Sequence, residues 1–118
     1  PHPCILMIRA LIIDDDIIFR KFLRGLLAAH GSIKVIGEAG SLRSARELLR
    51  LTACDLVFLD IQLGDGTGFD LMPVVPAGAK VIMVSAHAES ALRAFDVNAL
   101  DYLLKPVGPA RLAASLQK

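Results

Sequence analysis

The sequence contains only two cysteines, Cys4 and Cys54, which is too few for the disulfide framework of a small secreted domain. Acidic and basic side chains nearly balance, with a formal net charge of +1, so the charge predicts no attraction to nucleic acid or to a membrane surface. No apolar run approaches the roughly 18 residues of a membrane span, and the first residues lack the pattern of a secretion signal. These absences favour a cytoplasmic protein that binds neither nucleic acid nor membrane.

The composition is that of a folded domain. Apolar residues make up 54% of the chain and charged residues 21%, which supplies a substantial core. The length of 118 residues predicts one domain. The segment MIRALIIDDD, from Met7, has the pattern of a natural start. We therefore interpret residues 1–7 as an N-terminal extension or cloning remnant and residues 8–118 as the domain.

Strand and helix patterns alternate along the chain. Unbroken apolar runs predict buried strands, and apolar residues at helical spacing predict helices between them. The predicted strands are 9–14, 33–39, 55–60, 79–85 and 100–104, and the predicted helices lie at 17–29, from Ser41, within 69–75, at 88–97 and from Pro109. This alternation predicts an α/β, flavodoxin-like (βα)5 fold, doubly wound around a five-stranded parallel sheet in the order 2-1-3-4-5.

Spacing also predicts which helical side chains face the core. Asp16 precedes the first helix, where its carboxylate can accept hydrogen bonds from free backbone N–H groups. In the first helix the predicted apolar stripe is Ile18, Phe22 and Leu26, flanked by Phe19, Leu23 and Leu27. In the fourth helix the predicted inward-facing residues are Ala91, Leu92 and Phe95.

Polar residues stand at the carboxyl ends of the predicted strands. In a sheet of this order, ligands bind at those ends, near the point where the strand order reverses. The residues concerned are Asp14, Asp15 and Asp16 after the first strand, Asp60 at the end of the third, Ser85 at the end of the fourth and Lys105 after the fifth. We therefore expect a carboxylate cluster, a hydroxyl and an ammonium group to share one site.

The acids of this site predict a bound cation. A ligand set of oxygens alone favours a hard ion, Mg²⁺ or also Mn²⁺, over Zn²⁺. Asp15 and Asp60 are the expected direct ligands, and Asp14 is expected to act through a water molecule. The backbone carbonyl of Gln62 is a further candidate ligand.

Two chemistries fit a metal ion beside an aspartate. One is simple metal binding, and the other is phosphoryl transfer onto the carboxylate, with Asp60 as the nucleophile. Lys105 and Ser85 favour the second. A transferred phosphoryl group needs its oxygens neutralised, whereas a structural metal site needs no cation opposite it.

Four segments carry a resemblance to a known family. In chain order they are ALIIDDD, LVFLDIQLGDGTGFDL, VIMVSA and ALDYLLKPV. Together they resemble the receiver domain of bacterial two-component response regulators, over residues 8–118. The stretch AFDVNALDYLLKPV is most similar to the LytR/AlgR-type regulators. That similarity implies control of transcription through a LytTR-type DNA-binding domain, which would lie outside this chain.

The resemblance implies a role for individual residues. Asp60 matches the phosphorylated aspartate, and Asp14 and Asp15 match the acidic pair that holds the divalent ion. The remaining matches are Lys105 with the lysine that contacts the phosphoryl group, Ser85 and Tyr102 with the switch residues, and Lys105–Pro106 with a cis peptide bond. A receiver is a phosphoacceptor that catalyses only its own phosphorylation and dephosphorylation.

The resemblance also implies partners. A sensor histidine kinase would supply the phosphoryl group. The exposed face of the fourth helix, the fifth strand and the last helix is the expected output surface, through which a homodimer would form. The residues expected on this face are Arg93, Asp96, Asn98 and Asp101.

Two other classes remain open at this point. A small haloacid-dehalogenase-type phosphatase also begins with an apolar run and an acidic pair, here Asp14 and Asp16, and would use Asp14 as its nucleophile. A stand-alone interaction module with an inactive site is the other. His87 is interpreted as an exposed loop residue, and GDGTG as a turn that lacks the context of a phosphate-binding loop.

Overall fold

The computed structural model describes residues 7–118, which form a five-stranded parallel sheet covered by helices on both faces. The strands are β1 (Ile8–Ile13), β2 (Ile33–Ala39), β3 (Leu56–Asp60), β4 (Lys80–Ser85) and β5 (Asp101–Leu104). The α-helices are α1 (Ile17–Leu27), α2 (Leu42–Leu51), α3 (Ala91–Asp96) and α4 (Pro109–Leu116). Turns of 3₁₀-helix cover Gly68–Val74 and Ala88–Ser90.

The sheet has the predicted topology. Its order is β2-β1-β3-β4-β5, and every neighbouring pair of strands is parallel. The flavodoxin-like order of the five main strands is therefore confirmed. The interpretation of residues 1–7 as an extension concerns a segment that, apart from Met7, lies outside the described residues, and it stays a prediction.

The central strands are buried because helices pack on both sides of them. β3 is buried along its whole length, and β1 is buried from Ala10 onward. Leu11 and Ile13 pack with α2 on one face, while Ala10 and Ile12 pack with α1 and α4 on the other. Continuous burial on two faces explains why these strands lack the alternation of a half-exposed strand.

The inner face of α1 differs from the predicted stripe. Ile18 and Phe22 are 75% and 46% exposed, so their prediction as core residues is wrong. Leu23 and Leu27, which the prediction places beside this stripe, are the buried residues. The helix carries apolar residues around more than half of its circumference, and spacing alone does not select which of them the sheet covers.

The fourth predicted helix shows the same kind of error. Leu92 and Phe95 are 78% and 63% exposed, whereas Ala94 is buried. The segment begins as a 3₁₀ turn, Ala88–Ser90, before α3 starts at Ala91. The predicted inward-facing residues all lie within α3, and a six-residue helix with several apolar side chains offers more than one inner face, so spacing alone does not select the one that the sheet covers.

Several other features predicted from short stretches of sequence are present in the structure. The Asp16 carboxylate accepts hydrogen bonds from Ile18 N at 2.9 Å and Phe19 N at 3.4 Å, which confirms its capping role. Cys54 is buried and unpaired. The GDGTG segment forms the turn and second strand of a short antiparallel hairpin, in which Gln62–Leu63 pairs with Gly66–Thr67. None of the helices within residues 7–118 is long and apolar enough to cross a membrane.

Gly68 allows the chain after this hairpin to pass against the end of β3. Its N–H donates to Ile61 O at 2.7 Å. A Cβ atom at this position would lie 2.3 Å from the carbonyl oxygen of Asp60, a distance that side chains do not tolerate. The close approach of two backbone segments therefore requires glycine here.

We expect Gly68→Ala to lower the free energy of unfolding by about 2–3 kcal/mol, because backbone atoms cannot yield as a side chain would. Urea unfolding measures this change. Gly64→Ala is the matched control, since Gly64 is exposed and has nothing within 4 Å of its Cβ position. Its effect is expected to stay within about 0.5 kcal/mol. Equal effects of the two substitutions would contradict the steric argument.

Candidate functional site

The end of β1 holds Asp14 in a fixed position. Asp14 is 1% exposed, and its N–H donates to Ala39 O of β2 at 3.0 Å. Its Oδ1 accepts a hydrogen bond from Asp16 N at 2.8 Å. Asp15 follows directly and is exposed. The first acid is therefore built into the sheet edge, and the second faces outward from the loop.

The end of β3 brings Asp60 to the same edge. Asp60 is 5% exposed, and its Oδ1 accepts from Gln62 N at 3.1 Å. One carboxylate oxygen from each of Asp14, Asp15 and Asp60 lies within 4.8 Å of the others. Because β1 and β3 are adjacent parallel strands, residues 46 positions apart in the chain meet here. We call these three residues the acidic site.

Lys105 faces the acidic site from the loop after β5. Its Nζ lies 2.8 Å from Asp14 Oδ2 and 3.5 Å from Asp60 Oδ2. It also lies 4.3 Å from the ring centroid of Phe19, where a cation–π contact supports the ammonium. The contact with Asp14 is an ion pair, and within residues 7–118 the buried Asp14 Oδ2 has no further partner. The Lys105–Pro106 peptide is cis, as the resemblance implies.

The charges of the site perturb one another. Burial raises the pKa of Asp60 to about 6, the Asp14 carboxylate adds to this effect, and Lys105 opposes it. Burial alone would lower the pKa of Lys105, but the carboxylates of Asp14 and Asp60 outweigh it, so the pKa is raised. Three carboxylates face one ammonium group, and a divalent cation would balance the remaining charge.

The donor set fits a hard divalent ion. All the ligand atoms are carboxylate oxygens, and two of the three carboxylates are buried. Among the described residues, the buried Asp14 Oδ2 atom is paired only with the Lys105 ammonium, so it retains a lone pair for a cation or a cation-bound water. Mg²⁺ is usually held in this way, by one or two carboxylates with waters and phosphate oxygens completing its shell.

Gln62 contacts the site through its N–H. That group donates to Asp60, and the residue otherwise belongs to the short hairpin that pairs Gln62 with Thr67. The Gln62 side chain is exposed. The expected role of its carbonyl as a metal ligand stays a prediction.

Ser85 and Tyr102 both contact the backbone of His87. Ser85 is fully buried at the end of β4, one residue past Val84, the register partner of Asp60. Its Oγ accepts a hydrogen bond from His87 N at 3.0 Å. The Tyr102 hydroxyl donates to the carbonyl oxygen of the same His87. The His87 side chain is exposed, as predicted. The backbone of His87 therefore connects the two candidate switch residues.

Two residues of the site carry no clear signal in the sequence. Arg20 donates from Nη1 to the carbonyl oxygen of Asp14 at 2.5 Å, and Phe19 contacts the Lys105 ammonium. The available signal is their position in the first turn of α1, directly after the acids, where side chains point back toward the loop. In the sequence itself, Phe19 and Arg20 look like any apolar and basic residues of a helix.

The expectation that Asp101 is exposed is wrong. Asp101 is 4% exposed, and its carboxylate pairs with Arg111 at 2.8 Å and Lys118 at 3.3 Å. Burial alone would raise the pKa of Asp101, but hydrogen bonds led by Arg111 outweigh it and the pKa is lowered. Asp101 begins β5 and lies under α4, so it joins that helix to the sheet. Arg93, Asp96 and Asn98 are exposed.

Comparison with known proteins places this geometry in a family. A family profile described as the response regulator receiver domain matches residues 10–117. The chain belongs to this family, and it is a receiver domain of two-component response regulators. Such domains generally interact with histidine kinases and generally bind Mg²⁺ at an acidic pocket. The domain is a signalling module and not a classical enzyme, so membership removes the phosphatase alternative.

Two named regulators are similar to this chain in sequence. The sensory transduction protein LytT of Bacillus cereus is 37% identical over 118 residues, covering 95% of this chain and 47% of LytT. The transcriptional regulatory protein LytR of Staphylococcus aureus is 37% identical over 116 residues, covering 93% and 46% of the two chains. The chain therefore spans about half the length of these relatives.

Solved structures show the same fold. The response regulatory domain of mrkE from Klebsiella pneumoniae has a TM-score of 0.84 at 26% identity, covering 92% of both chains. A CheY-like receiver domain protein from Methanospirillum hungatei has a TM-score of 0.81 at 26% identity, covering 94% and 91%. The fold prediction is confirmed by these receiver structures.

Proposed function

We propose that this domain accepts a phosphoryl group on Asp60 from a sensor histidine kinase and uses it to switch an output. The observation that carries the proposal is the Lys105 ammonium, which faces the buried carboxylates of Asp14 and Asp60 at 2.8 and 3.5 Å. A lysine in this place supplies positive charge where the oxygens of an incoming phosphoryl group would lie.

Mg²⁺ is the proposed cofactor, and Mn²⁺ would serve in its place. Asp15 and Asp60 would bind the ion directly, Asp14 through water, with the Gln62 carbonyl as a further ligand. The bound ion would neutralise oxygens of the phosphoryl group and part of the carboxylate charge.

In the transfer itself, the nucleophile would be the Asp60 carboxylate. One carboxylate oxygen forms a bond to phosphorus while the bond from phosphorus to the imidazole nitrogen of the kinase phosphohistidine breaks. The electron pair of that bond stays with the imidazole, and the product on Asp60 is an acyl phosphate. Lys105 balances charge on the phosphoryl oxygens, and the Gln62 N–H holds Asp60 Oδ1 in place.

The switch would run through the backbone of His87, from its N–H to its carbonyl group. Ser85 Oγ accepts from His87 N, so its own hydroxyl hydrogen is free to donate to a phosphoryl oxygen. A movement of Ser85 toward the phosphoryl group would pull on His87, whose carbonyl holds the Tyr102 hydroxyl. Tyr102 would pass this change to the surface near α3. The phosphoryl group brings about 1.5 to 2 negative charges to drive it.

The output surface is the face formed by α3, β5 and α4, which we propose mediates homodimer formation. Leu92, Phe95 and Leu104 are large apolar residues exposed on these elements. The similarity to LytT and LytR, which are about twice as long, supports a LytTR-type DNA-binding domain as the part that this face controls. We place such a protein in the cytoplasm, where its kinase would phosphorylate it.

Acetyl phosphate with Mg²⁺ tests the phosphoacceptor directly. We expect the wild-type domain to gain the mass of one phosphoryl group, and peptide mapping to place it on Asp60. Asp60→Asn should abolish the gain, because an amide is not a nucleophile for phosphorus, whereas Asp14→Asn should only slow it. Modification of Asp14 would contradict the proposal, and a wild-type domain that gains no mass would favour an interaction module with an inactive site.

A further inference from the structure

We infer that Arg20 is a positioning residue for the metal ion, because it holds the carbonyl group that joins Asp14 to Asp15. The inference rests on the proposed function, since it assumes that the acidic site binds Mg²⁺. Arg20 does not belong to the ligand set. It acts through the loop between β1 and α1, which carries two of the three acids.

The Asp14 carbonyl group has no place in the sheet. The β1–β2 ladder ends at the pair Ile13–Ala39, so this oxygen lies just beyond the last strand position. Among the described residues, Arg20 is the donor that the structure gives it, through Nη1 at 2.5 Å. A carbonyl that leaves the ladder in a partly buried position needs such a donor.

With this contact, every polar group of Asp14 is held. Its N–H donates to Ala39, its Oδ1 accepts from Asp16 N, and its Oδ2 pairs with Lys105. The carbonyl is also part of the peptide plane that leads to Asp15. Asp15 is exposed, so its direction depends on that plane more than on packing. Arg20 therefore fixes the direction in which the exposed Asp15 carboxylate points, because the surroundings of Asp15 restrain its side chain little.

Glu38 aims the Arg20 guanidinium. Glu38 Oε1 accepts from Arg20 Nε at 3.1 Å, and Oε2 accepts from Arg24 on the outer side. The Arg20 side chain is 16% exposed, whereas that of Arg24 is 49% exposed. Gly40 leaves room for the guanidinium, because a Cβ there would lie 3.0 Å from Arg20 Nη1. The pairing also offsets a positive charge that would otherwise repel a divalent cation nearby.

The affinity of the unphosphorylated domain for Mg²⁺ tests this inference by calorimetric titration. We expect Arg20→Gln to weaken binding by about 10-fold, the usual effect of removing a group that orients a metal ligand. Arg24→Gln is the matched control. It removes an arginine from the same Glu38 without a contact to Asp14, and it should bind Mg²⁺ as the wild type does. Urea unfolding of each variant verifies that the domain is folded.

A charge exchange separates positioning from simple ion pairing. The double variant Arg20→Glu with Glu38→Arg keeps an ion pair between α1 and β2 but places no donor at the Asp14 carbonyl. We expect the free energy of unfolding of this double variant to be close to that of the wild type. Its Mg²⁺ binding should still be about 10-fold weaker than that of the wild type. Recovery of wild-type affinity in the double variant, or undiminished affinity in Arg20→Gln, would overturn the inference.

The proposed metal site can fail independently of this inference. Asp15→Asn should weaken Mg²⁺ binding more than Arg20→Gln does, because it removes a ligand. A wild-type domain that shows no saturable Mg²⁺ binding would refute the metal site itself. Wild-type binding that is lost in Asp15→Asn but unchanged in Arg20→Gln would refute only the role of Arg20.

Discussion

Replacing Lys105 by methionine is expected to slow phosphoryl transfer to Asp60 by about 100- to 1000-fold, the usual effect of removing a group that stabilises developing charge. The methionine retains much of the side-chain volume against Phe19 and removes the ammonium. The same substitution should strengthen Mg²⁺ binding, because Lys105 and the ion compete for the Asp14 and Asp60 carboxylates. Two unit charges about 4 Å apart in water interact by about 1 kcal/mol, and the double charge of Mg²⁺ raises this to about 2 kcal/mol, or roughly 30-fold in affinity.

These opposite effects make the experiment specific. The initial rate of mass gain with acetyl phosphate at saturating Mg²⁺ measures transfer, and calorimetry measures binding. Lys21→Met is the control, because Lys21 lies exposed on α1 and its loss changes the net charge equally. It should alter neither quantity. If Lys105→Met slowed transfer only because it failed to bind Mg²⁺, Lys105 would be a support for the metal site and not a group that acts on the phosphoryl oxygens.

Asp60→Asn is expected to stabilise the metal-free domain at neutral pH by about 1–2 kcal/mol. Burial raises the pKa of Asp60 from 3.8 to about 6. The ionised carboxylate therefore destabilises the folded state. A shift of this size corresponds to about 3 kcal/mol as an upper limit, and we reduce it because solvent screens part of the interaction. The asparagine removes the ionisation and keeps the shape of the side chain.

The pH dependence has a defined sign. Below pH 3.8 Asp60 is protonated in both the folded and the unfolded chain, so the ionisation penalty is absent. The wild-type domain loses this stability relative to Asp60→Asn as the pH rises to about 6, and the difference is constant above that. Urea unfolding in the presence of a metal chelator, at several pH values across this window, measures it. A difference that is independent of pH would contradict the assignment.

Asp55 provides a control of opposite sign. Its exposed carboxylate accepts hydrogen bonds from Arg9, which lower the pKa of Asp55 to about 2. That contribution to stability is present above the unfolded pKa and is lost as the pH falls through the folded one. Asp55→Asn should therefore destabilise the domain at neutral pH. Stabilisation by Asp60→Asn and destabilisation by Asp55→Asn together would exclude a general effect of removing negative charge.

The acidic site can be located from the sequence because its signals are local. Asp14 and Asp60 each end an unbroken apolar run, and alternation of strands with helices places the ends of parallel strands on one edge. The order of the strands then makes β1 and β3 neighbours. Backbone direction and strand order suffice for this inference, since neither depends on the rotamer of any side chain.

Other features depend on contacts that spacing does not contain. Spacing assigns Leu92 and Phe95 to the core, but a short apolar helix has more than one candidate inner face, and the packing of Ala94 against the core decides which is used. Asp101 is predicted at the surface because the resemblance assigns it to the exposed output face. The approach of Arg111 and Lys118 from the last helix and the residues after it makes its burial favourable.

The amino-acid order alone therefore determined the class of fold, the edge of the sheet at which the acids gather, and the residue types available there. Only the tertiary structure decided how that edge is held: Lys105 over Phe19, the His87 backbone between Ser85 and Tyr102, and Arg20 on the Asp14 carbonyl. The physical reason is the distance along the chain over which each signal acts. Periodicity and strand-end chemistry act over a few neighbouring residues, whereas each of these contacts needs the packed geometry of separate elements.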